Sequence, residues 1–144
     1  LRDRRSDGYL LIAPDEQTDM VCGVASLDIP FVVIAGSPTT NAPHAVTIDV
    51  DNAQGIDLAV DHLFSLGHKR IGYISGTATQ ASAQLRRQGF IEATMKRGLR
   101  IPPEYIVQGT YSFFFVEQNR EAALTLLNLP TPPTAIVCAN DGIA

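Results

Sequence analysis

One stretch, Val46 to Phe90, constrains the fold of this chain more than any other. It contains two short apolar runs, each followed by a segment with helical periodicity, and a glycine-containing loop precedes the second helix. Runs that are apolar on both faces are typical of strands in a covered parallel sheet. The first helix, predicted from Asn52 to about Leu66, has an apolar stripe at helical spacing: Ile56, Ala59, Val60, Leu63 and Phe64. Asp51 or Asn52 is expected to cap this helix, and Gly67 to end it.

The same alternation runs through the rest of the chain. Strands are predicted at Tyr9–Ala13, Phe31–Ala35, Val46–Val50, Ile71–Ser75, Ile106–Val107 and Ala135–Ala139. The predicted helices are about Glu16–Ser26, Asn52–Leu66, Ser82–Arg97, Val116–Leu127 and one that opens at Asn140. Strands and helices that alternate at this spacing predict an α/β fold with Rossmann-like, doubly wound parallel sheets.

Two local features refine that fold. The connection from Gly36 to His44 has no helical pattern, and a parallel crossover within one sheet usually contains a helix. We therefore predict that the chain passes from one sheet to another near Val46–Val50. Gly89 lies inside a predicted helix, where glycine costs about 1 kcal/mol relative to alanine. Its presence there predicts close approach to a neighbouring element.

Composition limits the function of the segment. A net charge of −4 over 144 residues disfavours nucleic-acid binding by these residues themselves, since such binding needs a positive surface. No apolar run is long enough to span a bilayer. Cys22 and Cys138 have no metal-ligand spacing, so we predict buried, reduced thiols and a cytoplasmic location. We expect no cofactor and no metal. A chain that begins at Leu1 and stops one turn into a predicted helix is expected to be a fragment of a longer protein.

An acidic pair follows one predicted strand. Asp49 and Asp51 could bind Mg²⁺ or form an aspartyl-phosphate, a pattern that resembles the first motif of haloacid-dehalogenase-type phosphatases. Ala53 stands where that motif has Thr or Val. In this enzymatic alternative Asp49 is the nucleophile and Asp51 the acid/base. In the structural alternative Asp51 or Asn52 caps the helix and Asp49 lines a hinge.

Other polar and aromatic side chains follow the later strands. Arg86, expected in the first turn of its helix, could donate hydrogen bonds to hydroxyls or a carboxylate. Tyr111 and Phe113–Phe115 could stack on a sugar or base, or simply pack their loop. Gly76–Thr79 could hold a phosphate or form a plain loop. Because ligands bind at the carboxyl ends of parallel strands, the candidate ligand contacts from three successive loops are Ser82, Arg86, Tyr111, Asn140 and Asp141.

A series of motifs resembles the LacI-type transcriptional regulators. They are Asp51-Asn52-Ala53-Gln54-Gly55, His62 to Ile71 (HLFSLGHKRI), Ser75-Gly76, Arg86-Arg87-Gln88-Gly89-Phe90 and Thr134 to Asp141 (TAIVCAND). The LGHKRI element is the most specific, because it separates the regulators from periplasmic sugar-binding proteins of the same fold. The resemblance covers nearly the whole chain.

The resemblance implies a periplasmic-binding-protein-like core of type I with an effector cleft between two subdomains. Residues 1–49 would be part of the N-terminal subdomain and residues 50–144 most of the C-terminal one, with Asp49, Val50 and Asp51 at the hinge. It implies effector contacts by Arg86 and Asn140, and more weakly by Ser82, Tyr111 and Asp141. The helix-turn-helix domain that binds operator DNA would lie outside this chain.

The function implied by the resemblance is not enzymatic. The chain would sense a small molecule, most often a sugar, and control operator binding allosterically within a homodimeric repressor. An alternative in the same fold is the periplasmic sugar-binding protein of an ABC transporter.

Overall fold

The computed structural model of the chain describes residues 6–14, 20–27, 29–36, 45–112 and 116–144. Its strands are β1 (Tyr9–Ile12), β2 (Phe31–Ile34), β3 (Val46–Ile48), β4 (Ile71–Ser75), β5 (Ile106–Gln108) and β6 (Ala135–Cys138). Its α-helices are α1 (Met20–Ala25), α2 (Asn52–Ser65), α3 (Ala81–Lys96) and α4 (Val116–Leu127). The predicted α/β fold with parallel sheets is confirmed, although a turn rather than a helix follows Asn140.

The chain divides into two compact units. The first contains Leu1–Val50 and Thr79–Ser82, and the second contains Asp51–Ala78 and Ala83–Ala144. Each has a three-stranded, wholly parallel sheet, with strand order β1-β2-β3 in the first and β5-β4-β6 in the second. The link between β3 and α2 therefore carries the chain from one unit to the other.

The position of β3 corrects one prediction. This strand stays in the first sheet, parallel to β2, with Val46 opposite Val32 and Ile48 opposite Ile34. The chain passes to the second unit directly after Val50, near the predicted place. The prediction that Val46–Val50 lies in a different sheet from Phe31–Ala35 is wrong, because it relied on the missing helical pattern between β2 and β3. A parallel return depends on connection length, roughly a dozen residues. Residues 35–45 come close to that length.

The first sheet is covered on one face by α1. Leu11 and Val33 point to that face and are buried with Val21 and Val24 of α1. The strand register places the opposite apolar side chains in two rows across the sheet: Leu10, Val32 and Val46, then Ile12, Ile34 and Ile48. The side chains of these rows in β1 and β3 are more than half exposed, and no described helix covers them. The prediction that β3 is covered on both faces is therefore wrong for the described residues.

The second sheet has the larger core, centred on β4. All five residues of this strand are buried. Tyr73 stacks on Phe90 of α3 at 4.8 Å between ring centroids, and both are fully buried. Gly72, the preceding residue, faces Leu126 of α4. Successive residues of a strand point to opposite faces, so α3 and α4 cover the two sides of β4.

Gly89 is where α3 meets α2, as predicted. A Cβ atom on Gly89 would lie 3.0 Å from the Cα of Ala53, which is backbone and cannot move aside alone. Gly55 of α2 provides a control for Gly89, since a Cβ atom there would meet nothing within 4 Å.

We expect Gly55→Ala to raise the free energy of unfolding by about 0.5–1 kcal/mol, because alanine has a higher helix propensity than glycine. Gly89→Ala should instead lower it, because the two helices must separate.

Urea denaturation of both variants in the full-length protein measures this contrast. An increase in stability for Gly89→Ala as large as that for Gly55→Ala would show that α2 and α3 do not pack closely at this point.

The LGHKRI motif closes α2 and fastens it to β6. Gly67 has a positive φ of 92°, and the His68 backbone N–H bonds back to the Leu63 carbonyl at 3.1 Å, a Schellman-type helix end. The Nδ1 atom of His68 lies 2.9 Å from the Thr134 hydroxyl. The Nε atom of Arg70 donates to the Pro132 carbonyl at 3.1 Å. The motif thus fixes the edge of the second sheet at which β4 and β6 begin.

Arg97, which directly follows α3, joins the end of that helix to the middle of α2. Its Nη1 atom lies 2.6 Å from the Asp57 carboxylate and its Nη2 atom 2.8 Å from Asp61, while only 10% of its side chain is exposed. The hydrogen bond from Arg97 holds the pKa of Asp57 below its ordinary value. Because the folded-state pKa is lowered, the stability from this pair is present above the unfolded pKa and is lost as the pH falls below it.

We expect Arg97→Met to lower the free energy of unfolding by about 1 kcal/mol near neutral pH. The stability difference from the wild type should shrink as the pH falls below about 4, where Asp57 begins to protonate in the unfolded chain, and should vanish at a lower pH, where it protonates in the folded wild type as well. Thermal unfolding of the full-length protein as a function of pH checks this. A difference that persists unchanged to low pH would assign the effect to packing rather than to the ion pair.

Candidate functional site

The carboxyl edge of the second sheet brings together three loops. In the strand order β5-β4-β6, Tyr111 follows β5, Gly76 and Thr77 follow β4, and Asn140 follows β6. Parallel strands end at the same edge, so these loops are neighbours. This is the edge at which open α/β sheets bind ligands.

Arg86 lies in the second turn of α3 and is half-buried. Its Nε atom donates to Oδ1 of Asn52 at 2.7 Å, and its Nη1 atom donates to the carbonyl oxygen of Ala139 at 2.7 Å. The guanidinium therefore joins α3 to the start of α2 and the end of β6. The expected place in the first turn is wrong, because Arg86 is the sixth residue of α3 and a helical turn takes about 3.6 residues. Nη2 makes no hydrogen bond to the described residues.

Tyr111 packs against Gly76. A Cβ atom on Gly76 would overlap the Tyr111 ring, so the ring occupies the space that a side chain would take. The Tyr111 and Tyr73 hydroxyls are both buried without a hydrogen-bond partner among the described residues. Burial raises the pKa of Tyr73, with a further rise from Tyr111 and an opposing effect of the Arg86 charge.

The remaining predicted ligand contacts differ in position. The Asn140 side chain is half-buried, and its Oδ1 accepts the backbone N–H of Ile143 at 3.0 Å, which closes the turn after β6. Asp141 is exposed. Ser82 is half-buried at the start of α3 and groups with the first unit. The structure thus brings Arg86, Tyr111 and Asn140 to one sheet edge. Phe113–Phe115 lie outside the described residues.

The acidic pair lies in the link between the units. The Asp51 carboxylate accepts the Gln54 N–H at 2.8 Å and caps α2, which is the structural alternative predicted for it. The Asp49 carboxylate accepts the Val50 N–H at 2.8 Å. Within the described ranges, no group of three or more His, Cys, Asp or Glu side chains could hold a metal ion.

None of the described helices is long and apolar enough to cross a membrane.

The two thiols only partly match their prediction. Cys22 and Cys138 are not joined in a disulfide, but both are half-buried rather than buried. Burial raises the pKa of the Cys138 thiol.

Sequence reasoning missed Asn119, and it did not predict that Asn52 accepts from Arg86 or that Thr77 accepts the Tyr111 backbone N–H. Asn52 and Asn119 are both 5% exposed. Asn119 forms an i, i+3, i+7 series with the buried Ala122 and Leu126, so an amide on the apolar stripe of α4 was the available signal.

The whole chain, residues 1–144, matches the family of periplasmic binding proteins and the sugar binding domain of the LacI family. The chain belongs to this family. It is 35% identical, over 98% of its length, to the HTH-type transcriptional repressor CytR of Escherichia coli K12, and 34% identical to the HTH-type transcriptional repressor PurR of Pasteurella multocida. It spans about 40% of the length of these relatives.

Solved structures of the LacI family agree. A LacI transcriptional regulator from a Rhodococcus species superposes with a TM-score of 0.82 at 33% identity, over 96% of this chain and 49% of that one. A putative LacI regulator from Bacillus cereus subsp. cytotoxis gives a TM-score of 0.82 at 29% identity, over 95% and 47%. The predicted periplasmic-binding-protein-like fold is confirmed, as is the LacI-type resemblance.

Proposed function

We propose that this chain is the effector-sensing part of a LacI-type transcriptional repressor. Two observations support the proposal: the match to LacI-family repressors along its full length, and the polar carboxyl edge of the second sheet. The effector is a small polar molecule, a sugar or a related metabolite. Operator DNA binds through an N-terminal helix-turn-helix domain outside these residues, and the protein acts as a cytoplasmic homodimer.

Arg86 is the residue that best supports effector binding at this edge. Two hydrogen bonds to other elements fix the plane and direction of its guanidinium. Arginine carries five N–H donors, so Nη2 is left to donate to a hydroxyl or carbonyl oxygen of the effector. The Asn140 amide nitrogen and the Tyr111 ring lie at the same edge and would add a polar contact and a flat apolar contact. Asp141 and Ser82 are weaker candidates.

The proposed regulation depends on a difference in effector affinity between two conformations of the repressor. An effector that binds one conformation of the repressor more tightly shifts the population toward that conformation. Operator affinity changes if that conformation holds the DNA-binding domains differently. Asp49, Val50 and Asp51, in the link between the units, are the proposed hinge residues.

A ligand screen on the full-length protein tests the proposal. D-Ribose, D-glucose, cellobiose, adenosine and cytidine are each added at increasing concentration, and the melting temperature is followed. A true effector raises it progressively, because ligand that binds only the folded state stabilises it by RT ln(1 + [L]/Kd). The same compound must change affinity for an operator selected from random DNA. A compound that binds without changing DNA affinity would contradict the repressor assignment and favour a transport protein.

A further inference from the structure

The ring of Tyr111 is held in place from its backbone side. The Thr77 hydroxyl accepts the Tyr111 backbone N–H at 3.1 Å, although 34 residues separate them in sequence. The same hydroxyl lies 3.4 Å from the Thr110 hydroxyl, which accepts the Ser112 N–H at 3.1 Å. The loop after β5 is thus fastened to the loop after β4 by two threonine hydroxyls.

Asn119 holds the same loop from α4. Its Oδ1 accepts the Thr110 N–H at 2.8 Å, and its Nδ2 donates to the Thr110 carbonyl at 3.0 Å. The side chain is 5% exposed, so its amide meets both backbone groups of one residue away from water. A buried amide whose oxygen and nitrogen both form hydrogen bonds fixes the position of its partner, because the loss of either bond would leave a buried polar group without a hydrogen bond.

Gly76 packs against the Tyr111 ring, since only a residue without a side chain leaves room for the ring at this position. We term Thr77, Thr110 and Asn119 the Tyr111 latch. We propose that the Tyr111 latch positions the Tyr111 ring at the effector edge, so that Thr77 and Asn119 are positioning residues for effector recognition. This inference rests on the proposed effector-binding function and adds residues that would not themselves touch the effector.

The latch is tested without any ligand by fluorine NMR. The full-length protein is labelled with 3-fluorotyrosine, and the Tyr111 resonance is assigned from its loss in Tyr111→Phe. Thr77→Val keeps the shape of the side chain but removes the hydroxyl, so the Tyr111 resonance should shift or broaden. Thr77→Ser restores the hydroxyl and should return it toward the wild-type position. Thr125→Val is the matched control, because the Thr125 hydroxyl bonds within α4, to the Glu121 carbonyl, and to no other described residue.

Two further variants, together with the Tyr105 resonance as a reference, distinguish a local change at the latch from a general loss of folding. Asn119→Asp keeps the acceptor for Thr110 but removes the donor, and Gly76→Ala displaces the ring from the opposite side. Both should move the Tyr111 resonance. The Tyr105 resonance should stay in place in every variant, since its hydroxyl bonds to the Thr131 carbonyl at 2.6 Å, away from the latch. A Tyr111 resonance unchanged in Thr77→Val, with Tyr105 also unchanged, overturns the latch.

The role in recognition is tested by a double-mutant cycle with any compound of the sugar and nucleoside panel that stabilises the wild type. Thr77→Val should weaken its binding about tenfold, the size of one well-placed aromatic contact. In a Tyr111→Ala background Thr77→Val should have no further effect, because Thr77 acts through the ring. An equal loss in both backgrounds overturns the positioning role. If no panel compound binds the wild type, the effector proposal fails, while the fluorine shifts still decide the latch.

Discussion

Replacing Arg86 by alanine is expected to abolish the effector response of the full-length repressor and to leave operator binding in place. The variant removes the donor proposed for the effector and two hydrogen bonds to Asn52 and Ala139. Hydrogen bonds from a charged group contribute about 1.5–3 kcal/mol each, so effector affinity should fall by about 100-fold. Loss of the bond to the Ala139 carbonyl should also lower the free energy of unfolding by about 1–3 kcal/mol.

Titration of the effector against operator-bound protein, followed by fluorescence anisotropy, measures this loss. Arg86→Lys keeps the charge but cannot reproduce the planar arrangement of donors, so its response should also be weak. Arg87→Ala, at the exposed neighbouring position, should respond like the wild type. Full induction of Arg86→Ala at wild-type effector concentrations would remove Arg86 from the binding site.

Phe90→Ala is expected to have the largest effect on stability. The Phe90 ring is fully buried and stacks on Tyr73, which is also fully buried. Truncation of a buried phenylalanine to alanine costs about 3–5 kcal/mol, from lost transfer energy and the cavity that remains. Domains have a free energy of unfolding of about 5–15 kcal/mol, so this variant should lose a large part of it.

Urea denaturation followed by circular dichroism gives the change. Met95→Ala is the control on the same helix, because Met95 is 70% exposed and should change stability by less than about 0.5 kcal/mol. Phe90→Leu should fall between the two. Equal midpoints for Phe90→Ala and Met95→Ala would show that α3 does not pack on β4 through this ring.

Helices and strands were largely predictable because their signals are local. The bounds of α4, Val116–Leu127, and the cap at Asp51 followed from periodicity and side-chain chemistry within a few residues. The partner of β3 was not predictable in this way. A run of the β-branched residues Val, Thr and Ile indicates a strand, but its neighbour in the sheet depends on the path of a long connection.

The candidate site was predictable in position and residue type, but not in its hydrogen bonds. The rule that ligands meet the carboxyl ends of parallel strands led to Arg86, Tyr111 and Asn140 without coordinates. The partners of Arg86 lie 34 and 53 residues away in sequence, so only the folded chain shows that it joins three elements. Asn119 was missed because an amide inside an apolar stripe follows neither the polar nor the apolar pattern.

The parallel pairing of β4 with β6 also determines when the second unit can fold during synthesis. The Thr134 N–H bonds to the carbonyl of Arg70, 64 residues earlier in the sequence. Until β6 leaves the ribosome, β4 lacks its partner on that edge and has an incompletely covered apolar surface. Long-range pairing of this kind slows folding and prolongs exposure to aggregation. We therefore expect the nascent second unit to need chaperone protection until Ala135–Cys138 has emerged.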